Sequence, residues 1–122
     1  MLHLSLRMPV IFVIATDWKL RTAVRAELRE AGIKAMGMDS ADQVGQAIAA
    51  GEFPSGIVLE ATLQLAGSPA VNRLVARVPT VLVASRTETI DLPPVSVVLY
   101  RPIRIGEILQ ELQKLLNQPR FA

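Results

Sequence analysis

The chain has no cysteine and only one histidine, His3, so it offers neither a disulfide framework nor a thiolate or multi-histidine metal site. Aromatic residues make up only 4% of the sequence, so the core must be aliphatic. No apolar run approaches the roughly 20 residues that span a bilayer. The net charge is only +2 and the basic residues are scattered, which does not suggest a nucleic-acid-binding stripe.

These absences narrow the function classes. Neither a Ser–His–acid set nor a glycine-rich phosphate loop can be assembled, and the glycines fall singly at turns. We therefore expect no enzymatic activity, no cofactor and no metal. We also expect a cytoplasmic protein whose partners include neither nucleic acid nor membrane.

What the sequence does contain is aliphatic residues in short runs. Half of the 122 residues are hydrophobic, enough for the core of one domain. Apolar runs bounded by turn residues predict buried strands, and they alternate with helical patterns, which indicates an α/β protein with a parallel sheet and helices on both faces. The predicted strands are 9–15, 33–38, 54–60, 80–84 and 96–100.

Four helices are predicted between and after these strands. Asp17, Ser40 and Ser68 stand at N-cap positions, and Gly32 and Gly51 stand just past helix ends. The second helix is expected to bury three apolar residues, and the last helix has the strongest apolar period. The stretch 85–95 holds two prolines and no helical period, which predicts a loop with at most one helical turn. The residues expected to be buried in the second helix are Val44, Ala47 and Ile48.

The five βα units resemble the receiver domain of two-component response regulators (CheY-like), because an acidic residue ends strand three and a basic residue and a proline follow strand five. The segment 15–24 runs parallel to the family's acidic-pair-then-helix segment, and the spacing to Glu60 matches without gaps. The resemblance implies a doubly wound five-stranded sheet of order 2-1-3-4-5 over residues 9–117, with the helix after strand four shortened or missing. Residues 1–8 are then an N-terminal extension, and 118–122 a tail or the start of a linker.

The resemblance also implies a degenerate site. Receivers hold Mg²⁺ with an acidic pair and an aspartate, because this ion prefers hard oxygen ligands. Here the pair falls on Ala15 and Thr16, with Asp17 as neighbour, and the phosphate-accepting aspartate falls on Glu60. Without the metal, nothing offsets repulsion between a phosphoryl group and the carboxylate, so phosphorylation is not expected.

Two further positions carry residues that differ from those of the family. The switch hydroxyl falls on Ala84, and Ser85 beside it is expected to point to the other face of the strand. The family's lysine falls on Arg101, which Pro102 follows. Glu60 and Arg101 should then face each other and can form a bidentate pair. That pair is either a remnant of a lost site or a permanent version of an arrangement that phosphorylation makes temporary.

Candidate interface residues lie on the first and last helices. Arg21 and Arg25 belong to a basic stripe, which is either a docking surface for an acidic partner or a solvated face, and Trp18 is either an exposed contact residue or half-buried. In the last helix, Ile108 and Leu115 widen the apolar stripe and either leave an exposed patch or are buried with it. The residues expected to suffice for covering the sheet are Ile105, Leu109, Leu112 and Leu116.

The favoured function is a phosphorylation-independent pseudo-receiver that acts as a protein–protein interaction or dimerisation module in bacterial signal transduction. Its partner would be another protein, an attached effector domain or a second copy. The alternative is a small-molecule or anion sensor that uses the emptied cleft between Thr16, Glu60, Ala84 and Arg101. A receiver that still accepts phosphate at an eccentric site is the third hypothesis.

Overall fold

The computed structural model describes residues 9–86 and 95–117. Five parallel strands form one sheet of order β2-β1-β3-β4-β5, which confirms the predicted class and strand order. Each strand lies within one residue or two of its predicted bounds. The strands are β1 (Val10–Ile14), β2 (Lys34–Met38), β3 (Gly56–Glu60), β4 (Thr80–Ala84) and β5 (Val97–Tyr100).

The helices begin at side chains that accept hydrogen bonds from their first turns. Asp17, Ser40, Thr62 and Ser68 are the N-caps of α1 to α4, and Gly32 after α1 has a φ of 78°, which favours glycine. One of these helices, the four-residue α3, was not predicted. The helices are α1 (Trp18–Glu30), α2 (Ala41–Ala49), α3 (Leu63–Ala66), α4 (Pro69–Val75) and α5 (Ile105–Asn117).

The core has two layers, one on each face of the sheet. Helices α1 and α5 cover the face onto which Val13 and Val58 point, while α2, α3 and α4 cover the face of Phe12 and Leu59. The central strands are buried on both faces, as their continuous apolar sequences predict. The loops at the carboxyl ends of the strands are thereby held on a rigid sheet.

The residues of helix α5 that are buried differ in part from those that the sequence predicts. Ile108 and Leu115 are buried, whereas Ile105, Leu109 and Leu116 are only partly buried at the edge of the same core layer. Of the two alternatives for Ile108 and Leu115, the exposed interface patch is therefore wrong, and burial along the inner face of the helix is confirmed. The apolar stripe is wider than a single contact line, and the helix is rolled so that its Ile108 side faces the sheet.

Ile48 in α2 is also corrected, because its side chain is exposed rather than buried. The predicted extension at 1–8 and the predicted tail at 118–122 lie outside the described residues, as do residues 87–94, on which the shortened helix after strand four depends. Among the described residues, no helix has both the length and the apolar content to cross a membrane.

Candidate functional site

The site lies at the carboxyl edge of the sheet, where the loops after β1, β3 and β5 meet. Glu60 is the last residue of β3, and its side chain is only 12% exposed. Arg101 directly follows β5, where its backbone N–H donates to the Ala84 carbonyl at 2.8 Å. Strand pairing thus fixes the two charged residues on the same edge, with one strand between them.

The Glu60 carboxylate binds the start of the first helix through one oxygen. Oε1 accepts hydrogen bonds from the Thr16 backbone N–H at 2.8 Å, the Thr16 hydroxyl at 2.8 Å and the Asp17 backbone N–H at 3.1 Å. The side chain of Glu60 is one methylene longer than that of aspartate, and this length is used to reach the β1–α1 loop. Three donors on one oxygen hold the carboxylate in a single orientation.

The second oxygen of Glu60 meets Arg101, as the sequence predicts. Arg101 Nη2 lies 3.0 Å from Glu60 Oε2 and 3.5 Å from Asp17 Oδ2. The pair is not bidentate, because Oε1 is bound to the β1–α1 loop and the same guanidinium nitrogen contacts both carboxylates. Arg101 therefore lies between two negative charges.

Asp17 both begins α1 and contacts Arg101. Its Oδ1 accepts hydrogen bonds from the Lys19 amide at 3.0 Å and the Leu20 amide at 3.3 Å. The hydrogen bond from the Leu20 amide, followed by that from Lys19 and the charge of Arg101, lowers the pKa of this carboxyl below its ordinary value, although partial burial opposes the effect. Asp17 is thus held ionised by the helix N-terminus and by Arg101.

The residues at this edge do not fit the Mg²⁺ ion of the receiver family. The two positions of the acidic pair supply no carboxylate, since Ala15 is buried in the core and Thr16 donates to Glu60. The carboxylates of Asp17 and Glu60 both contact the guanidinium of Arg101. Within residues 9–86 and 95–117, no three His, Cys, Asp or Glu residues form a cluster that could hold a metal. The positive charge that these two carboxylates contact is therefore the guanidinium of Arg101.

Ala84, at the position where the resemblance to receiver domains implies a switch hydroxyl, has a methyl group instead. Ala84 packs against the core layer beneath α2, α3 and α4. Ser85 helps to line a cleft of about 350 Å³ together with Glu60, Leu63 and Arg101. Val83, two residues earlier in the chain, lines the same cleft, whereas Ala84 packs on the other layer, as alternation along the strand predicts.

A second cleft lies on the other side of Arg101. It measures about 590 Å³ and is lined by Asp17, Lys19 and the segment that follows Arg101. Pro102 lies in that segment, after a cis peptide bond. Arg101 therefore separates two clefts rather than facing one empty cavity.

The candidate contact residues on α1 divide into two groups. Trp18 is 62% exposed, so it is not half-buried. Arg21 and Arg25 are half-buried: Arg21 Nη1 donates to the Ala15 carbonyl at 2.7 Å, and both aliphatic stems lie against Gly37, where an added Cβ would come within 2.9 Å of Arg25 Cδ. The basic stripe is therefore only in part a solvated face.

The sequence does not predict one exposed residue at this edge. Leu63 is 78% exposed in the short helix α3, beside the Glu60 cleft. A leucine in an apolar sequence is ordinarily assigned to the core, and only the position of Thr62 as a cap could have indicated that a new helix begins before Leu63.

Comparison with protein-family models and with curated proteins gives no match. Comparison with solved structures gives receiver domains. A response regulator receiver protein from Burkholderia phymatum matches with a TM-score of 0.73 at 18% identity, over 91% of this chain and 97% of that one. The signal receiver domain of an HD domain-containing protein from Pseudomonas fluorescens Pf-5 matches with a TM-score of 0.72 at 18% identity, over 90% and 95%.

A third neighbour is the N-terminal domain of a response regulator/sensory box/GGDEF three-domain protein from Carboxydothermus hydrogenoformans. Its TM-score is 0.70 at 10% identity, over 88% of this chain and 93% of that one. These likenesses cover nearly the whole of both chains, and they agree with the observed sheet and its strand order. This chain has the fold of response regulator receiver domains.

Proposed function

We propose that this chain is a phosphorylation-independent receiver-like domain that acts by protein–protein contact in bacterial signal transduction. It works in the cytoplasm and has no catalytic activity of its own. The observation that carries this proposal is the internal ion pair of Glu60 and Arg101, completed by the hydrogen bonds from Thr16 and Asp17. The charged groups that would have to interact with a phosphoryl group, the Glu60 carboxylate and the Arg101 guanidinium, already bind each other.

The ion pair argues against phosphate acceptance in two ways. An attack by Glu60 on a phosphoryl group would first require its carboxylate to leave Arg101 or the β1–α1 loop. The guanidinium of Arg101 is already shared by the carboxylates of Asp17 and Glu60, so it does not offset the repulsion between Glu60 and a phosphoryl group. With no metal to offset that repulsion, the reaction lacks its main source of electrostatic stabilisation.

The surface around the ion pair supports a contact function. Trp18, Leu63 and the 45%-exposed Tyr100 are large apolar side chains at the carboxyl edge of the sheet. Exposed aromatic and aliphatic side chains grouped around a rigid centre are typical of contact surfaces. The partner is a protein or an attached effector domain; two of the neighbours described above are named as belonging to proteins with further domains.

Self-association does not use Ile108 or Leu115, because both are buried within one copy. The described residues offer a different route, since Val98 and Tyr100 of β5 are exposed and β5 is an edge of the sheet. An unpaired strand edge with apolar side chains favours pairing with another chain. A homodimer is therefore proposed only through β5.

The sensor alternative is weaker. The anion version needs a free cation, yet Arg101 contacts two carboxylates. The cleft of about 350 Å³ beside Glu60 still has room for a small uncharged molecule, and this observation alone keeps the alternative open.

The first test is an amide NMR titration of the full chain with Mg²⁺ and beryllofluoride, a mimic of the phosphoryl group, with Mg²⁺ alone and fluoride alone as controls. We expect no saturable shifts at Thr16, Glu60 or Arg101. Saturable shifts confined to these residues would overturn phosphorylation independence.

The contact function needs its own test. A photo-crosslinking residue placed at Trp18 or Leu63 should capture the same discrete partner in cells, whereas one at the exposed Arg29 on the outer side of α1 should not. Equal capture at all three positions, or capture at none, would contradict a contact surface at the carboxyl edge.

A further inference from the structure

A second surface lies on the opposite side of the molecule from α1 and α5. Helices α2 and α4 pack side by side over the Phe12 face of the sheet, and between them runs a groove of about 570 Å³. The buried Val44 and Leu74 lie beneath it, and the exposed Ile48 and Phe53 line its sides. The residues that face this groove are thus largely apolar.

The depth of the groove comes from small residues. Gly45 lies in the middle of α2, where a Cβ would meet no atom within 4 Å. A glycine inside a helix costs about 0.5–1 kcal/mol relative to alanine, and packing does not require one here. Ala49 of α2 and Ala70 of α4 also line the groove. Small side chains from both helices therefore leave room for a third element.

The charge beside the groove has one sign. Arg73 and Arg77 line it, no acidic residue does, and within residues 9–86 and 95–117 neither arginine forms a salt bridge. The guanidinium of Arg77 lies 5.9 Å from the centre of the Phe53 ring. Glu52, which directly precedes the groove residue Phe53 in the sequence, contacts Lys34 at 3.7 Å. The two cations are available to an outside carboxylate.

We propose that the α2–α4 groove binds an amphipathic helix of a partner protein that places two or three apolar side chains in the groove and acidic side chains beside Arg73 and Arg77. The nine residues of α2 are about 14 Å long, which matches two to three turns of a docked helix. This site is separate from the carboxyl edge and does not depend on the function proposed for it.

The same observations disfavour other occupants. In a symmetric dimer formed through this groove, the second copy would bring its own Arg73 and Arg77 against the first pair, which is repulsive. A membrane surface is met by protruding apolar side chains, whereas this surface is concave. A nucleic acid would match the cations but not the groove lined by Ile48, Leu74 and Phe53.

The test uses two designed helical peptides of about four turns with the same leucine face, one flanked by glutamate and the other by lysine. We expect the glutamate peptide to give saturable amide shifts at Gly45, Phe53, Ala70 and Arg77 of the labelled full chain. The lysine peptide should bind at least tenfold more weakly. Equal binding of both peptides, or no binding of either, would overturn the proposal.

Variants separate the charges from the shape of the groove. The double variant Arg73→Glu with Arg77→Glu should reverse the preference between the peptides, while Arg29→Glu on α1 should leave it unchanged. Gly45→Leu should weaken the glutamate peptide at least tenfold by filling the groove. Its matched control is Gly106→Leu in α5, where an added Cβ also meets no atom.

The peptide comparison on the unchanged chain keeps the proposal testable should a variant fail to fold. Shifts of the same groove amides with anionic vesicles or with single-stranded DNA in place of a peptide would assign the surface to a different partner and overturn the proposal. Concentration-dependent shifts of these amides without any addition would assign it to self-association, with the same consequence.

Discussion

At the scale of single residues, Glu60 joins three loops that are far apart in the sequence. One oxygen binds the β1–α1 loop, and the other binds the residue after β5. Neither contact is available to an alanine, and an aspartate is one methylene too short to hold both. Glu60 therefore holds the loops at the carboxyl edge together.

Replacing Glu60 by alanine should lower the free energy of unfolding by about 1–2 kcal/mol, because the Thr16 and Asp17 amides lose their acceptor and Arg101 loses a partner. Glu60→Asp should fall between alanine and the natural residue. Urea denaturation at neutral pH measures both, with Glu27→Ala on the exposed side of α1 as control. Equal stability of all four proteins would contradict this account.

The lowered pKa of Asp17 predicts a pH dependence with a definite sign. Because the carboxyl has a lower pKa in the folded state than in the unfolded state, the folded protein binds fewer protons at acid pH. The stability it contributes is present above the ordinary pKa, near about 4, and is lost as the pH falls through the lowered folded value.

Asp17→Asn keeps an oxygen that can cap α1 but removes this titration. The loss of stability between neutral pH and pH of about 3 should thus be smaller in the variant than in the natural chain. Urea midpoints at several pH values measure the difference, and Asp42→Asn, at an exposed position in α2, is the control. An unchanged or steeper acid loss in Asp17→Asn would contradict the assignment.

At the scale of elements, helix caps were the most reliable signals in the sequence. Asp17, Ser40 and Ser68 each begin a helix where predicted, since a side-chain oxygen there satisfies backbone N–H groups that the helix leaves free. The short α3 escaped prediction because four residues contain barely one period. The roll of α5 escaped it because the apolar stripe is broad enough to accept more than one orientation.

The roll of α5 can be tested with alanine substitutions. Ile108→Ala should lower the free energy of unfolding by about 2–5 kcal/mol, because Ile108 is fully buried in the layer beneath α1 and α5. Leu109→Ala should cost clearly less, since that side chain is partly exposed. A larger loss at Leu109 than at Ile108 would mean that the helix is rolled the other way.

Two glycines in different elements should respond in opposite directions. Gly45→Ala should raise the free energy of unfolding by about 0.5–1 kcal/mol, because the helix gains propensity and the new methyl meets no atom. Gly56→Val in β3 should lower it by about 1–3 kcal/mol, since a Cβ there would lie 3.1 Å from Leu112 Cδ1 and 3.2 Å from Ile11 Cδ1. Thermal denaturation compares them, and a stabilised Gly56→Val would refute the packing of α5 on β3.

At the scale of the whole molecule, the sheet order and the meeting of Glu60 with Arg101 were both predictable. Buried parallel strands have continuous apolar sequences, and the resemblance supplied their order, so the charged residues at two strand ends had to share one edge. The division of the Glu60 oxygens between Thr16 and Arg101 was not predictable, because it depends on distances of a few tenths of an ångström. The α2–α4 groove was not predictable, because the sequence predicts that Ile48 is buried with Val44 and Ala47, whereas its exposed side chain lines the groove.

The internal ion pair also determines how long the arrangement of charges at this edge lasts. A charge that arrives by covalent modification is later removed by hydrolysis, and the interval between the two events sets how long a signal lasts. The Glu60–Arg101 pair is encoded in the sequence, so it is present from the moment of folding until the chain is degraded. The amount of any complex formed at this edge would then depend on the number of copies of the chain in the cell. Synthesis and proteolysis of the chain would set how long the complex lasts.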